Sequence, residues 1–436
     1  MPAARHTTRR FLRFVALLLA VAAFGPARAR AQSPESEMAP ARGEFHPAPL
    51  PPANYFIPDV PDSVAASVTQ LREKWFTLKL GLVTLVDYTA FSQDDASLAQ
   101  VGEQEDQWDD RSLRAILRGT LGTHYKVSYL VGGEYKGFET EPENLWSLTD
   151  VSFTFPIGGP ATMFTIGKTK ETMTYEMVGD AANLPHSERV LSPFFVSRNV
   201  GLKLMHVMGA EQRATAAIGV FNNWLFTDTD FEDSGTEVSA RLTGLLVDHP
   251  DRHQFVHLGV AGRYVGTDSD MIRYRGRPES NVADYYVDTG ELEAESATHV
   301  GFEALANSGP VSVLAEYNQA WVNSPTSGDP TFMGWYVTGS WILTGETRPY
   351  DRTVGYARRV MPKGHWGAPE IVARYAVVDL DDAGVSGGSF DKVMVGLNWW
   401  ATRRWKLGAT WGRTWLDRDD LEGRTDAWMA RFQWVY

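Results

Sequence analysis

The 436-residue chain contains no cysteine, which excludes disulfide bracing and any thiolate nucleophile or thiolate-held metal. After residue 31 no apolar run reaches the length of a spanning helix, so no transmembrane helix is expected. Basic residues are in deficit, 41 Lys and Arg against 54 Asp and Glu, for a formal net charge of -13. A nucleic-acid partner, which needs a dominant basic surface, is excluded. A phosphate-cradling glycine loop, a nucleophile elbow and a paired-acid signature are also missing, so nothing points to an enzyme. His249 and His253 in "DHPDRH" are the nearest approach to a metal motif. They flank an Asp-His-Pro-Asp core typical of a turn, and neither a metal nor another cofactor is expected.

What the chain does have begins with a signal. "RHTTRRFLR" is basic, "FVALLLAVAAFG" is apolar and "ARA" ends at Ala31. Together they read as a secretory signal over 1–31, cut before Gln32. Residues 32–61 are proline-rich and read as an extended, semi-rigid tether. "DSVAASVTQLREKW" then places Val64, Val68, Leu71 and Trp75 at helical spacing, and a short helix is expected in this 32–74 periplasmic segment.

From Trp75 the period becomes two. In "FTLKLGLVTLVDY" Phe76, Leu78, Leu80, Leu82, Val86 and Tyr88 share a face opposite Thr77, Lys79, Gly81 and Asp87. The same alternation recurs to the last residue, where Trp428, Ala430, Phe432, Trp434 and Tyr436 oppose Met429, Arg431 and Gln433. About sixteen such strands can be drawn: 75–91, 111–121, 123–138, 145–156, 161–169, 198–208, 212–222, 236–247, 253–266, 297–307, 310–322, 332–343, 369–380, 390–401, 404–416 and 425–436. Many run 9–12 residues, the length of a tilted membrane-crossing strand. Short connections such as "IGGPA" and "NSGP" alternate with long ones at 92–110, 170–197, 223–235 and 267–296. Short turns on one side and long loops on the other suit an outer-membrane barrel. One connection, 344–368, lies on the short side yet is long. A soluble sandwich or lipocalin-like barrel would explain one apolar face. It would not explain a second face carrying Arg, Lys, Glu and Thr at strand centres, whereas a polar lumen inside an apolar exterior explains both. The fold class expected is therefore all-β: a transmembrane antiparallel β-barrel of 16 strands over 75–436. Aromatics are 12% of the chain, with 15 Trp, as suits interfacial girdles.

"GWYVTGSWILTGETRPYDRTVGYARRVMP", "GAPEIVARYAVVDLDD" and "GGSFDKVMVGLNWWATRRWKLGATW" follow one another in an order that resembles the phosphate-selective porins O and P. The matching residues are Leu343, Thr344, Gly345, Glu346, Arg348 and Tyr350, then Gly367, Ala368, Glu370, Arg374 and Tyr375, then Gly396, Asn398 and Trp399. "IGKTKETMTYEMV" and "SERVLSPFFVSRNVG" look like that family's constriction loop. The resemblance implies a homotrimeric sixteen-stranded porin of the outer membrane that passes small anions, such as phosphate or polyphosphate, by diffusion. It also implies that loop three, loop five and the 344–368 turn fold into the lumen. Two alternatives stay open. One is a porin without phosphate preference; the other is a structural barrel tethered through its N-terminal segment.

Selectivity in such a channel rests on charges that replace an ion's hydration, and arginine suits phosphate because its fork is planar and always charged. The first candidates are Arg273, Arg275 and Arg277 in "RYRGRP"; spacing of two puts them on one side of an extended segment, and the resemblance makes them an arginine ladder. The alternative is a solvated cluster on an outer loop. Arg114 and Arg118 face the polar side of strand two, and Arg114 aligns with a wall arginine of the family. Arg241, Arg263, Arg374 and Arg431 face the lumen by parity, as ligands or as salt-bridged wall residues. Lys168 and Lys170 enter loop three. The family's phosphate-binding lysine of that loop falls near "TYEMVGD", where Met177 stands, and the lysines of the inward turn are replaced by Arg352, Arg358 and Arg359. The outer loops are acidic: Asp94, Asp95, Glu103, Glu105, Asp106, Asp109 and Asp110 in the first, Glu139, Glu141 and Glu143 in the second, Asp228, Asp230, Glu232 and Asp233 in the fourth. Screened over roughly 8 Å, these acids disfavour anions approaching the mouth or hold divalent cations between lipopolysaccharide phosphates.

Overall fold

The computed structural model describes residues 70–123, 126–136, 145–222, 234–267 and 270–436. The expected signal, the proline-rich residues 32–61, and the acidic residues of 137–144 and 223–233 lie outside these. Sixteen long strands are present: β1 Phe76–Gln93, β2 Gln107–Leu121, β3 Val127–Tyr135, β4 Trp146–Pro156, β5 Thr162–Thr169, β6 Asn199–Met208, β7 Ala214–Asn222 and β8 Ser234–His249 in the first half, and β9 Gln254–Thr267, β10 Ser296–Ser308, β11 Val311–Asn323, β12 Thr331–Ile342, β13 Ala368–Asp382, β14 Val385–Trp400, β15 Trp405–Arg418 and β16 Leu421–Val435 in the second. Each pairs antiparallel with the next, and β16 returns to β1 through Val83↔Val435 to Gln93↔Thr425. The barrel is closed, so the backbone groups along the paired strands are satisfied within the wall.

The period-two alternation sorts side chains as expected. On β16 Arg431 and Gln433 are buried on the lumen side while Trp428 and Phe432 are exposed outward. An outward apolar belt continues round the wall, with Leu117, Phe153, Ile166, Leu202, Ile218, Leu242, Leu258, Phe302 and Leu397 all exposed. At the short-turn end the aromatics cluster: Trp405 contacts Phe432 and Trp434, and Trp434 contacts Tyr436.

Two differences from the sequence expectation have local causes. β1, β2, β14 and β16 extend further at the long-loop end than 91, 111, 390 and 425. Their added residues, including Asp109, Asp110, Ser386 and Arg424, are polar and hide the alternation that marks a strand in lipid. The β15–β16 hairpin closes on Asp419 and Asp420 alone, both at positive φ of 57° and 61°, the tight turn that Asp tolerates. The other difference concerns the expected helix before Trp75. Its described part, Gln70–Arg72, is a strand paired antiparallel to Thr77–Lys79. β16 ends opposite Val83, which leaves the start of β1 with a free edge, and the chain folds back to fill it.

Three connections turn inward. Loop three (170–198) carries one short α-helix, α1 Tyr175–Val178; loop five is described over 270–295, and the inward turn spans 343–367. Tyr175, Leu191 and Phe194 of loop three, Tyr274 and Tyr286 of loop five, and Tyr356 of the turn form one buried core with Phe332, Tyr336 and Phe390 of the wall. The sequence showed only that the inward turn is long; packing shows where it goes.

Candidate functional site

Loop three is held by charges as well as by apolar contact. The Glu316 carboxylate of β11 accepts from the backbone N–H groups of Tyr175 and Glu176, the latter at 2.9 Å, at the start of α1. Arg374 of β13 reaches Glu176 at 2.6 Å and Glu279 of loop five at 3.0 Å. Arg263 of β9 lies 3.0 Å from Glu171 and 2.7 Å from Glu237, all three buried. Arg241 of β8 meets Glu303 at 2.6 Å and donates to the carbonyls of Val354 and Gly355 at 2.9 and 2.7 Å, which fixes the inward turn. Across the seam, Arg431 bridges Asp87 and Glu188 and donates to the Ser187 carbonyl. Unpaired charges at such depth would each cost several kcal/mol, so these arginines act as struts.

On the other side of loop three the lumen stays open. A cavity of about 430 Å³ lies between β1–β5, loop three and loop five. Eight basic side chains line it (Arg111, Arg114, Lys168, Lys170, Arg189, Arg198, Arg275 and Arg277) against four carboxylates, Glu134, Asp180, Glu188 and Glu279. Arg114 pairs with Glu134 at 2.9 Å and Arg198 with Asp150 at 2.9 Å. Arg111 chelates Glu188 at 2.8 and 3.1 Å. Burial pushes the Glu188 carboxyl up, but Arg111 and Arg431 outweigh it and hold the group at about 2. Arg189 differs: it donates to the carbonyls of Glu176 and Gly179, at 2.6 and 3.3 Å. Burial, and then the like charge of Arg111, pull its guanidinium down to about 10. Lys170 is buried and donates to the Gly179 carbonyl at 2.9 Å; burial and then Arg198 push its ammonium well below the usual lysine range.

The arginine row of loop five divides. Ile272, Tyr274, Gly276 and Pro278 are buried while Arg273, Arg275 and Arg277 alternate on the other side, as the spacing predicts. Arg275 and Arg277 line the cavity, their guanidinium carbons 4.3 and 4.2 Å from the centre of the Tyr285 ring. Arg273 stands apart, paired with Asp288 at 2.6 Å and Glu291 at 3.5 Å and partly exposed.

Residues 87–436 match the family described as Phosphate-selective porin O and P. The chain belongs to that family. Its barrel is that of an outer-membrane porin, a channel rather than an enzyme. A relative from Caulobacter vibrioides, described as an uncharacterized protein, is 35% identical over 133 residues, 29% of this chain and 27% of the relative; the match thus spans about a quarter of that relative's length. The anion-selective porin from Comamonas acidovorans aligns with 83% of this chain and all of its own, with a TM-score of 0.53 at 12% identity. Salmonella typhi OmpF, in a complex with daunomycin, aligns with 84% of this chain and 100% of its own at 0.52 and 10%. Vibrio cholerae OmpT in its trimer form gives 83%, 100%, 0.51 and 11%. At these identities the likeness is one of fold.

Of the residues singled out from the sequence, this porin gathers Arg114, Lys168, Lys170, Arg275 and Arg277 at one cavity. Arg241 and Arg374 are struts. Arg118 is buried on β2 beyond the cavity lining, and Arg359 is buried in the inward turn. Arg352 pairs with Asp248 at 2.8 Å, and Arg358 with Asp351. Met177 is fully buried in the apolar core, so no side chain replaces the family lysine there. Arg111, Arg189, Arg198 and Tyr285 complete the lining and were not singled out. Arg189 and Arg198 fall inside the stretch "SERVLSPFFVSRNVG" that carried the resemblance. Strict alternation puts Arg111 outward with Leu113, but the register slips between Leu85/Asp87 and their partners, and such a bulge re-aims a side chain. Lys168 reaches the cavity next to Gly167, whose φ of 121° interrupts the alternation of β5.

Proposed function

We propose that this porin is a passive channel for small anions, phosphate among them, and that the cavity between β1–β5 and loops three and five selects them. One observation carries the reading: eight basic groups face four carboxylates there, in a chain whose net charge is -13. Arg241, Arg263, Arg374 and Arg431, elsewhere in the lumen, are matched by carboxylates and leave little field for a passing ion. Arg189 supports the same reading, since a guanidinium depressed by burial gains when an anion arrives. The purified protein in a planar bilayer under a KCl gradient tests it: a reversal potential of the sign for chloride over potassium is expected, and the opposite sign overturns the reading.

Three accompanying features belong to the same proposal. Residues 1–31 are removed on export, the barrel assembles as a homotrimer, and the acidic outer loops meet lipopolysaccharide phosphates through divalent cations. N-terminal sequencing of the mature protein and the mass of the unheated, detergent-extracted protein check the first two; a single-copy mass removes the trimer. Release of bound lipopolysaccharide on chelation of divalent cations checks the third.

A further inference from the structure

The arginine row of loop five is held in two different ways. Arg273 is fixed by the Asp288 and Glu291 carboxylates, which also cancel its charge. Arg275 and Arg277 share a ring instead: their guanidinium carbons lie over Tyr285, 4.3 and 4.2 Å from its centre. A guanidinium stacked on a ring uses its face for the contact. Its N–H donors lie in its own plane and stay directed outward, and the ring carries no net charge to cancel its field. A carboxylate partner takes both donors and field. Two like charges side by side repel, and a single ring in contact with both draws them together.

Tyr285 is anchored through both of its neighbours. Before it, Asp284 is gripped by Gln104 of the first outer loop, which accepts from its backbone N–H at 2.8 Å and donates to its carboxylate at 3.0 Å. After it, Tyr286 is fully buried. Its backbone N–H donates to the Gly276 carbonyl at 3.0 Å and its hydroxyl to Thr425 of β16 at 2.9 Å. Tyr285 itself lines the cavity together with both arginines. Two buried donors there lack a hydrogen-bond partner among the described residues: the Nε of Arg277 and the Oγ of Ser280, a residue only 2% exposed. Buried donors are ordinarily satisfied, and an oxyanion in the cavity brings the acceptors they need.

We infer that Tyr285 is a positioning residue for selectivity: its ring holds Arg275 and Arg277 side by side with their charge undiminished, so that one oxyanion meets both guanidiniums at once. This rests on the anion-channel reading, and the test separates the two. The full-length porin, Tyr285→Leu and Tyr285→Phe are compared in planar bilayers. The reversal potential under a KCl gradient is measured, with the concentration of inorganic phosphate that halves the chloride current. The temperature at which folded electrophoretic mobility is lost is measured beside them. Tyr285→Leu keeps apolar bulk and removes the ring face. It should raise the half-blocking concentration about tenfold, the loss of roughly one charge-assisted hydrogen bond. With every charge retained, its reversal potential and thermal mobility should match the wild type. Tyr285→Phe keeps the ring face and should stay within about twofold of the wild type. Three results overturn the inference while chloride selectivity stands: no phosphate block of the wild type, a block unchanged in Tyr285→Leu, or one weakened as much in Tyr285→Phe. A fall in the thermal mobility of Tyr285→Leu alongside the lost block also overturns it, because the residue is then structural only. A cation-selective reversal potential of the wild type instead removes the anion reading beneath it.

Discussion

The arc of wall from β8 to β14 and the arc from β1 to β5 enclose the same lumen and treat charge in opposite ways. Along the first arc, Arg241, Arg263 and Arg374 each meet one or two buried carboxylates, and aromatic side chains of loop three, loop five and the inward turn fill the space between. Along the second arc, basic groups outnumber acids two to one and a cavity remains. Arginine is abundant on both arcs, so its count in a lumen says little about selectivity. What matters is whether the basic groups of a region exceed the carboxylates that meet them. In the filled arc charge holds loops in place; in the open arc Arg111, Arg114 and Arg198 are paired as well, and a solute meets the surplus of basic groups over carboxylates.

The largest effect is expected from breaking a strut in the filled arc. Arg241→Ala leaves Glu303 without its main partner and removes both donors to the inward turn. Removing one partner of a buried pair costs about 3–5 kcal/mol. The barrel should still close, because its wall pairing is intact. The temperature at which the protein loses its folded electrophoretic mobility should fall, and the conductance should become noisy. Unchanged thermal mobility with quiet channels would mean the turn is held by packing alone.

His186 ties loop three to the filled arc, and acid is the way to test it. Its ring lies 3.1 Å from Glu176 and packs on Tyr336 of the filled arc. Burial, and then the Arg374 charge, hold the imidazole down from 6.5 to about 4. The docked loop therefore binds fewer protons than a released one. The stabilisation is fully present above about 6.5 and is lost as pH falls from there through about 4, up to roughly 3 kcal/mol. Glu188, held at about 2, stays ionised through that window, so the seam anchor persists. Channels should be quiet at pH 7 and flicker at pH 4, and His186→Gln should flicker little at either pH. Equal flicker at both pH values in the wild type would remove His186 from the account.

Much of this contrast was legible in the residues, and the reason is geometric. Alternation of two put Arg263, Arg374 and Arg431 inward and Trp428 outward, because a strand in a closed barrel has only two faces. The three arginines of loop five kept their shared side because the segment is extended. What alternation could not supply was partnership. Arg263 finds Glu171 from a residue 92 positions away, and Arg374 finds Glu176 from 198 positions away; such contacts exist only once loop three has folded inward. Arg111 was hidden by a bulge. The turn of Gln70–Arg72 onto β1 was hidden because its cause, a free edge, depends on where the last strand ends.

In the open arc, Arg189→Glu should change selectivity more than stability. At an effective dielectric near 20, a unit charge about 7 Å from a passing ion contributes roughly 2 kcal/mol. Replacing plus by minus should therefore reduce the chloride-to-potassium permeability ratio by about tenfold or more, with a smaller fall in thermal mobility than Arg241→Ala because only the donors to the Glu176 and Gly179 carbonyls are lost. An unaltered reversal potential would place the selecting charge elsewhere in the cavity.

The smallest effect sharpens the comparison within one short sequence. Arg273 and Arg277 are four residues apart on the same side of loop five, and in the sequence they are equivalent. Arg273 is partly exposed and already held by Asp288 and Glu291, an arrangement typically worth under about 1 kcal/mol. Arg277 faces the cavity over Tyr285. Arg273→Ala should leave the reversal potential and the chloride conductance within error of the wild type, whereas Arg277→Ala should lower anion preference severalfold by the same charge argument as for Arg189. If both substitutions lowered selectivity equally, the row would act as a continuous ladder reaching out to the mouth, and the pairing of Arg273 with Asp288 would have to open as each ion passes.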